Sequence, residues 1–361
     1  MTGRRDAGSP YMEWAKLRSR ARFNLATSGV ADYPLARLAV SLGDLEINGP
    51  TIYGYAPLQD RLSRKTGAPP ESVVAATGTS LANHLALAAL FEPGDEVLIE
   101  QPTYELLVST AAYLGASVRR FRRRPEHGFA LDPEEVERAT TPATRLVVVT
   151  NLHNPSSVRA DDAALSEIAR IAARRGAAVL VDEVYLETCF EGARSAFFLG
   201  DNVVATGSLT KAYGLSGLRC GWILAPAELA TRMWRINDLY AATPAHPAEL
   251  LSAAALDRLP EIAAEARARL DRNRRALEAF LDGRPDLEAP RPRWGTTSFP
   301  RLLAGSVDDL CAKLRDEYET SVVPGGFFDM PDRFRIGIGG ETADLEEGLR
   351  RVGRALDELA R

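Results

Sequence analysis

Ser208-Leu-Thr-Lys211-Ala-Tyr-Gly214-Leu-Ser-Gly217-Leu-Arg219-Cys-Gly221 is the stretch on which the reading of this chain turns. It follows the apolar β-type run Val203-Val-Ala-Thr206 and carries one lysine among hydroxyls and glycines, with an arginine eight residues on. Ammonium groups ordinarily stay on solvated helix faces, because taking the charge out of water is costly. Desolvation or a nearby cation lowers a lysine's pKa toward neutrality, and the free amine can then form a Schiff base with an aldehyde. Arg219 has the charge and forked donors to hold a phosphate. Lys211 and Arg219 together suit an aldehyde that carries a phosphate; taken alone, the stretch also admits a surface lysine after a strand.

Outward from it, short β-branched runs alternate with helical patterns. Runs at 73–76, 96–99, 117–121, 145–149, 178–181, 203–206 and 221–224 predict strands, and 81–90, 161–174 and 229–240 predict helices. This alternation predicts an α/β fold, with a mostly parallel seven-stranded sheet between helices. In such sheets ligands sit outside the carboxyl ends of the strands. After Tyr240 the texture changes. An Ala/Glu/Arg/Leu-rich run at 247–281 predicts helix, with Pro260 at a break or in the first turn of a second helix. A Pro/Arg/Gly loop at 284–295 precedes short strands near Thr297, 321–323 and 334–336 and helices at 307–318 and 343–359, which make a smaller α+β unit.

With 361 residues, 45% hydrophobic and 26% charged, the chain can bury a sizeable core and divide into two domains. A formal net charge of −5 favours neither nucleic acid nor an anionic membrane as partner. The basic run Arg119, Arg120, Arg122, Arg123 and Arg124 reads as a solvated strand edge followed by a loop at Pro125. Cys189, Cys220 and Cys311 are widely separated and form no CxxC pair, which suggests a reducing compartment. Residues 1–6 lack an apolar signal core, and no segment approaches the length of a membrane span. A cytoplasmic protein is expected. No metal-ligand pattern, internal repeat or dinucleotide fingerprint is read.

Further patterns fall at predicted strand ends. Gly78-Thr79-Ser80-Leu-Ala-Asn opens a helix, where free N–H groups and the dipole make an anion site; Thr79 or Ser80 could equally be a plain N-cap. Pro102-Thr-Tyr104 and Asn151-Leu-His-Asn154-Pro155-Ser156-Ser157 follow two more strands, and Asn-Pro favours a turn. Val179-Leu-Val-Asp182-Glu-Val-Tyr185 ends an apolar strand in a carboxylate, which is costly unless it meets a cation or good donors; a helix N-cap is the alternative. Phe334-Arg335-Ile336-Gly337 places an arginine in a short strand, suited to bidentate capture of a carboxylate or to a surface ion pair.

Ser-x-x-Lys with arginine eight residues later, together with these companions, resembles the class I/II aminotransferases, which are fold-type I pyridoxal-phosphate enzymes. The matches run in order from Ser28 to Arg335. The resemblance implies that Lys211 holds pyridoxal 5′-phosphate as a Schiff base and serves as the catalytic base. It also implies that Thr79, Ser80, Ser208 and Arg219 bind the cofactor around its phosphate. Tyr104 would stack on the pyridine ring, and Asn154 and Tyr185 would hydrogen-bond its phenolic oxygen. Asp182 would keep the ring nitrogen protonated, so that the ring acts as an electron sink. Arg335, which aligns better than Arg333, would receive the substrate α-carboxylate together with Asn154. Ser157 replaces the family's usual glycine, and His153 is expected to be a loop or supporting residue rather than a base.

Two N-terminal pieces extend the likeness. Asn24-Leu-Ala-Thr-Ser28-Gly29-Val30 resembles the family's substrate loop, where Gly29 lets the backbone approach the substrate. Tyr53-Gly-Tyr55-Ala-Pro57 resembles the segment whose tyrosine reaches the neighbouring subunit's phosphate, and both Tyr53 and Tyr55 are candidates. The likeness further implies a homodimer and a first forty residues that pack with the C-terminal unit. The large cofactor-binding domain is accordingly expected at 45–240 and the small domain at 1–44 with 241–361. The implied activity is transfer of an amino group between an L-amino acid and a 2-oxo acid. Two other readings remain: a different pyridoxal-phosphate reaction, such as a C–S β-lyase or an amino-acid-modifying enzyme of secondary metabolism, and a non-catalytic cofactor-binding sensor. The complete constellation counts against the last. No second arginine can be assigned to a distal substrate carboxylate.

Overall fold

Leu146-Val147-Val148-Val149 are all fully buried, and successive members enter different cores. Burial on both sides is what helices on both faces of a sheet demand, and it explains why these strands read as continuous apolar runs. A computed structural model describes residues 8–190 and 193–360. The reading of residues 1–6 lies outside the described residues. Within them, β1 (Val73–Thr77), β2 (Glu96–Gln101), β3 (Ser117–Arg122), β4 (Thr144–Thr150), β5 (Ala178–Asp182), β6 (Val203–Ser208) and β7 (Cys220–Leu224) form one seven-stranded sheet, ordered β1-β7-β6-β5-β4-β2-β3. β7 runs antiparallel to both neighbours and every other pairing is parallel.

Leu146 and Val148 pack with Leu85 and Ala86 of the helix Gly78–Leu90 and Met233 of the helix Ala227–Asn237. Val147 and Val149 face the other way, onto Leu165 and Ile168 of the helix Asp162–Ala173. Each aliphatic side chain buried in this way stabilises by roughly 1.5–3 kcal/mol. Thr150, Asp182 and Thr206 fall in register on adjacent strands, so their side chains share the carboxyl edge of the sheet.

A second core belongs to the smaller unit. Ala266, Leu270, Leu277 and Leu281 recur at helical spacing on the helix Leu259–Asp282, and Leu345, Leu349, Val352 and Leu356 do so on Thr342–Leu359. They close over Phe334 and Ile336 of Phe334–Gly337, the middle strand of a three-stranded antiparallel sheet. The N-terminal chain joins this unit, because Phe23–Asn24 pairs in parallel with Thr320–Ser321 and Leu25 and Val30 enter the same core.

Ala255 of the helix His246–Asp257 lies with Leu58, Leu62, Ala205 and Trp222 on the large sheet, as do Leu38 and Ile262. Texture marks a change of composition and does not reveal which core a helix faces. The basic run is not uniformly solvated. Arg119 and Arg122 are exposed, whereas Arg123 is fully buried, with Nη1 3.0 Å from Glu100 Oε2 and Nε donating to the Phe129 carbonyl at 2.8 Å. A buried arginine needs a counter-ion, and the partner here lies 23 positions away on β2.

Candidate active site

The carboxyl ends of β1, β4, β5 and β6 open into a cavity of about 620 Å³, bordered by Thr79, Ser80, Asn154, Asp182, Ser208, Lys211 and Arg219. β6 ends at Ser208, whose hydroxyl accepts from the Thr210 N–H at 3.3 Å and starts the single turn Thr210–Tyr213 that carries Lys211. Lys211 Nζ donates to Ser28 Oγ at 3.1 Å. Burial, with Arg335 and Arg219 nearby, brings its ammonium down to about 8, against an opposing pull from Asp182. Gly29 lies against this lysine: a Cβ there would stand 3.5 Å from Lys211 Cδ.

Asp182 ends β5 almost completely buried. Its Oδ1 accepts from the Val184 N–H at 3.0 Å and its Oδ2 from Asn83 Nδ2 at 2.8 Å, while Asn83 Oδ1 accepts from Thr206 Oγ1 at 2.6 Å. Burial pushes the carboxyl up to about 6, and the Val184 and Asn83 donors hold it back. Tyr185 is buried with its hydroxyl pushed up to about 12, chiefly by desolvation, against the opposing influence of Arg335 and Ser28. Asn83 closes the sequence motif that begins at Gly78, where it carries no assigned role. Its position four residues after Thr79 puts both on one helix face, which is the signal that could have found it.

The anion end is built by close approach of backbones. Gly78 has φ +74° and opens the helix directly from β1, so Thr79 and Ser80 fall in its first turn and neither is the N-cap. A Cβ on Gly78 would stand 2.3 Å from Arg219 Nη2, and one on Gly221 would stand 2.6 Å from the Gly78 carbonyl carbon. Only glycines let these two segments meet. The Gly78 N–H donates to the Arg219 carbonyl at 2.7 Å, and Thr79 Oγ1 is buried without a partner among the described residues.

Arg335 comes from the small unit and is fully buried. Nη1 donates to Asn154 Oδ1 at 3.0 Å, and Nη2 donates to Tyr11 OH at 2.9 Å and to the Ala26 carbonyl at 3.1 Å; Nε has no partner among the described residues. Arg333 points elsewhere, over the rings of Phe129 and Phe299. Tyr104 borders the cavity edge-on to Tyr11, its ring centroid 5.7 Å away, with burial holding its hydroxyl far above the ordinary range. Tyr11 was missed by sequence reasoning, and no local signal marks it. His153 is buried off the cavity, bonded to Ser156 Oγ and the Pro102 carbonyl. Tyr53 and Tyr55 do not border the cavity: Tyr53 is exposed with OH 3.2 Å from Asp238, and Tyr55 packs edge-on to His246.

This arrangement offers an amine close to neutrality, a phosphate-sized anion cradle and a buried carboxylate on one cavity, with the buried Arg335 guanidinium behind its wall on Tyr11, Ala26 and Asn154. The unpartnered Thr79 hydroxyl and the glycine-lined approach to Arg219 fit a phosphorylated aldehyde. The comparisons with known proteins agree. Capreomycidine synthase of Streptomyces vinaceus is 34% identical, over all of this chain and 98% of that protein. The arginine–pyruvate transaminase AruH of Pseudomonas aeruginosa is 28% identical, over 80% of this chain and 76% of that protein. The crystal structure of a PLP-dependent aminotransferase from Streptococcus suis superimposes with a TM-score of 0.92 at 27% identity, over the whole of both chains. A family model described as aminotransferase class I and II matches residues 43–352. The chain belongs to the class I and II aminotransferases, a family of pyridoxal-phosphate-dependent transferases.

Proposed function

We propose that the chain transfers an amino group between an L-amino acid and a 2-oxo acid. The observation that carries this reading is Lys211, a half-buried amine near neutral pKa just past a strand end, sharing a cavity with Arg335's partners Tyr11, Ala26 and Asn154. When bound, pyridoxal 5′-phosphate supplies an aldehyde for amine exchange and a protonated ring that takes up electrons.

The chain's own residues do the rest. Arg335, oriented by Asn154 and Tyr11, holds the α-carboxylate and fixes one end of the amino acid beside Lys211. The Lys211 amine takes the proton from Cα and returns it on the other side of the exchange, which a pKa of about 8 allows near neutral pH. Asp182 supports positive charge on the ring nitrogen, Asn154 and Tyr185 orient the phenolic oxygen, and Tyr104 packs on the ring. Arg219, Thr79, Ser80 and Ser208 would hold the phosphate. A homodimer is part of this reading. Ile52 and Leu239 are each 80% exposed, and their segments are joined by the Tyr53–Trp234 ring contact, so an apolar surface lies beside the two tyrosines that would reach the partner's cofactor. A cytoplasmic location is proposed on cysteine usage alone.

A second reading has its own support. The relative that is 34% identical over the whole chain is named a synthase, which favours a pyridoxal-phosphate reaction that modifies an amino acid instead of exchanging its nitrogen. Adding single amino acids to the purified holoenzyme without oxo acid separates the two. Conversion of the visible band to a near-ultraviolet form with stoichiometric oxo acid supports transamination. Catalytic accumulation of a changed amino acid, or of pyruvate and ammonia, would sink it in favour of the second reading.

A further inference from the structure

The segment 26–33 strings the reacting groups along one strip of chain. The Ala26 carbonyl accepts from Arg335, Ser28 Oγ accepts from Lys211 Nζ, the Val30 N–H donates to the Lys211 carbonyl at 2.9 Å, and the Tyr33 N–H donates to the Gly214 carbonyl at 3.0 Å. Asp32 lies four residues past Ser28, at most about 14 Å away along the chain, and borders the same cavity. The other carboxylate on that wall is Asp182, which is taken up by Asn83 and the Val184 N–H.

Asp32 is exposed and makes no hydrogen bond or ion pair with any described residue. The carboxylate that bears on Lys211 is Asp182, and Lys211 Nζ itself donates to Ser28 Oγ. Arg37, a few positions on, pairs with Glu265 and lies over the Tyr33 ring. The cavity's cations are thus engaged in the machinery already described, while one carboxylate at its border is not. Tyr11, Trp14 and Tyr104 add aromatic rings to the wall, and ring faces attract cations.

We infer that Asp32 selects amino acids whose side chain ends in a cation, a guanidinium or an ammonium group. The inference rests on the reading of Lys211 and Arg335: with the α-carboxylate on Arg335 and the amino group at Lys211, the far end of a long side chain is left to find the cavity border. A neutral or acidic end gains nothing from Asp32, and an acidic end meets repulsion.

The test uses matched substrates with the holoenzyme, following the single-turnover spectral change: arginine against citrulline, and lysine against norleucine. The cationic member of each pair is expected to react with kcat/KM about three- to fivefold higher, the scale of a solvent-exposed ion pair. Asp32→Asn should abolish most of that preference by lowering the cationic member, with the neutral member within about twofold. Asp32→Ala should behave alike, which separates loss of charge from a new amide contact. The inference is overturned if wild-type enzyme treats both members alike, or if Asp32→Asn slows both equally. Should no amino acid of any kind change the band, the Lys211 reading has failed and this inference falls with it.

Discussion

Arg335 Nη1 donates to Asn154 Oδ1 at 3.0 Å across 181 positions of sequence, tying the middle strand of the small sheet to the loop after β4. The guanidinium is buried, yet its partners are an amide, a phenol and a carbonyl, all neutral. Arg335→Lys retains charge and loses the fork, so the second-order rate with any amino acid should fall by about 10²-fold or more. KM should carry most of the loss. An unchanged KM would show that the α-carboxylate binds elsewhere.

Lys211 should be the reactive amine among the four lysines, Lys16, Lys65, Lys211 and Lys313. Lys65 is paired with Glu187, and Lys313 with Glu317 and Glu358, which hold its ammonium above the ordinary range. With a pKa of about 8 in place of 10.5, Lys211 is roughly 10% unprotonated at pH 7, against about 0.03% for an ordinary lysine. Reductive trapping of pyridoxal 5′-phosphate followed by peptide mapping should label Lys211, with the rate rising to a plateau above pH 8. Label distributed over the surface lysines is the contrary outcome.

Asn83 should set the acid limb of the pH profile. Its amide is one of the donors holding the Asp182 carboxyl down near 6 against burial. A carboxyl whose pKa is raised in the fold is ionised only above that value, so Asn83→Ala should move the acid limb of the half-reaction to higher pH. Thr206→Val, which removes the hydroxyl that orients Asn83, should shift it the same way by less. A profile unmoved by either change would remove Asn83 from this role.

Arg123 and Glu100 should matter to stability far more than a surface pair. Glu100 also accepts from the Thr150 N–H and hydroxyl, and Thr150 Oγ1 accepts from the Asn154 N–H, so the pair underlies the cavity floor. Arg123→Met leaves the carboxylate buried without a cation and should destabilise by about 3–5 kcal/mol. Adding Glu100→Gln should recover much of the loss in thermal unfolding. Equal loss in the single and double variants would mean that packing, not charge, is at stake.

Much of the fold was legible in the sequence. Runs of β-branched residues buried on both faces, and helices with apolar residues at i and i+4, are dictated by solvation within a few positions, so the seven strands and three of the helices that pack with them could be placed from local pattern, while Glu105–Tyr113 and Pro133–Ala139 were not read. The same holds for the strand-end groups that border the cavity. Lys211, Asp182 and Asn154 stand out because a charged or turn-forming residue directly after an apolar strand is costly or conformationally specific.

Tertiary structure alone decided what meets what. Tyr11 reaches Arg335 across 324 positions, Asn83 reaches Asp182 across 99, and Arg123 finds a carboxylate that removes it from the solvent its composition suggested. The helix His246–Asp257 faces the large core despite its small-unit texture, and Asp32 borders the cavity without a partner among the described residues while Arg37 pairs with Glu265. The physical reason is common to all of these. Secondary structure follows from backbone sterics and from which face of a short segment avoids water. Burial of a charge or a phenol depends on partners that only the packing of distant segments brings within hydrogen-bond range.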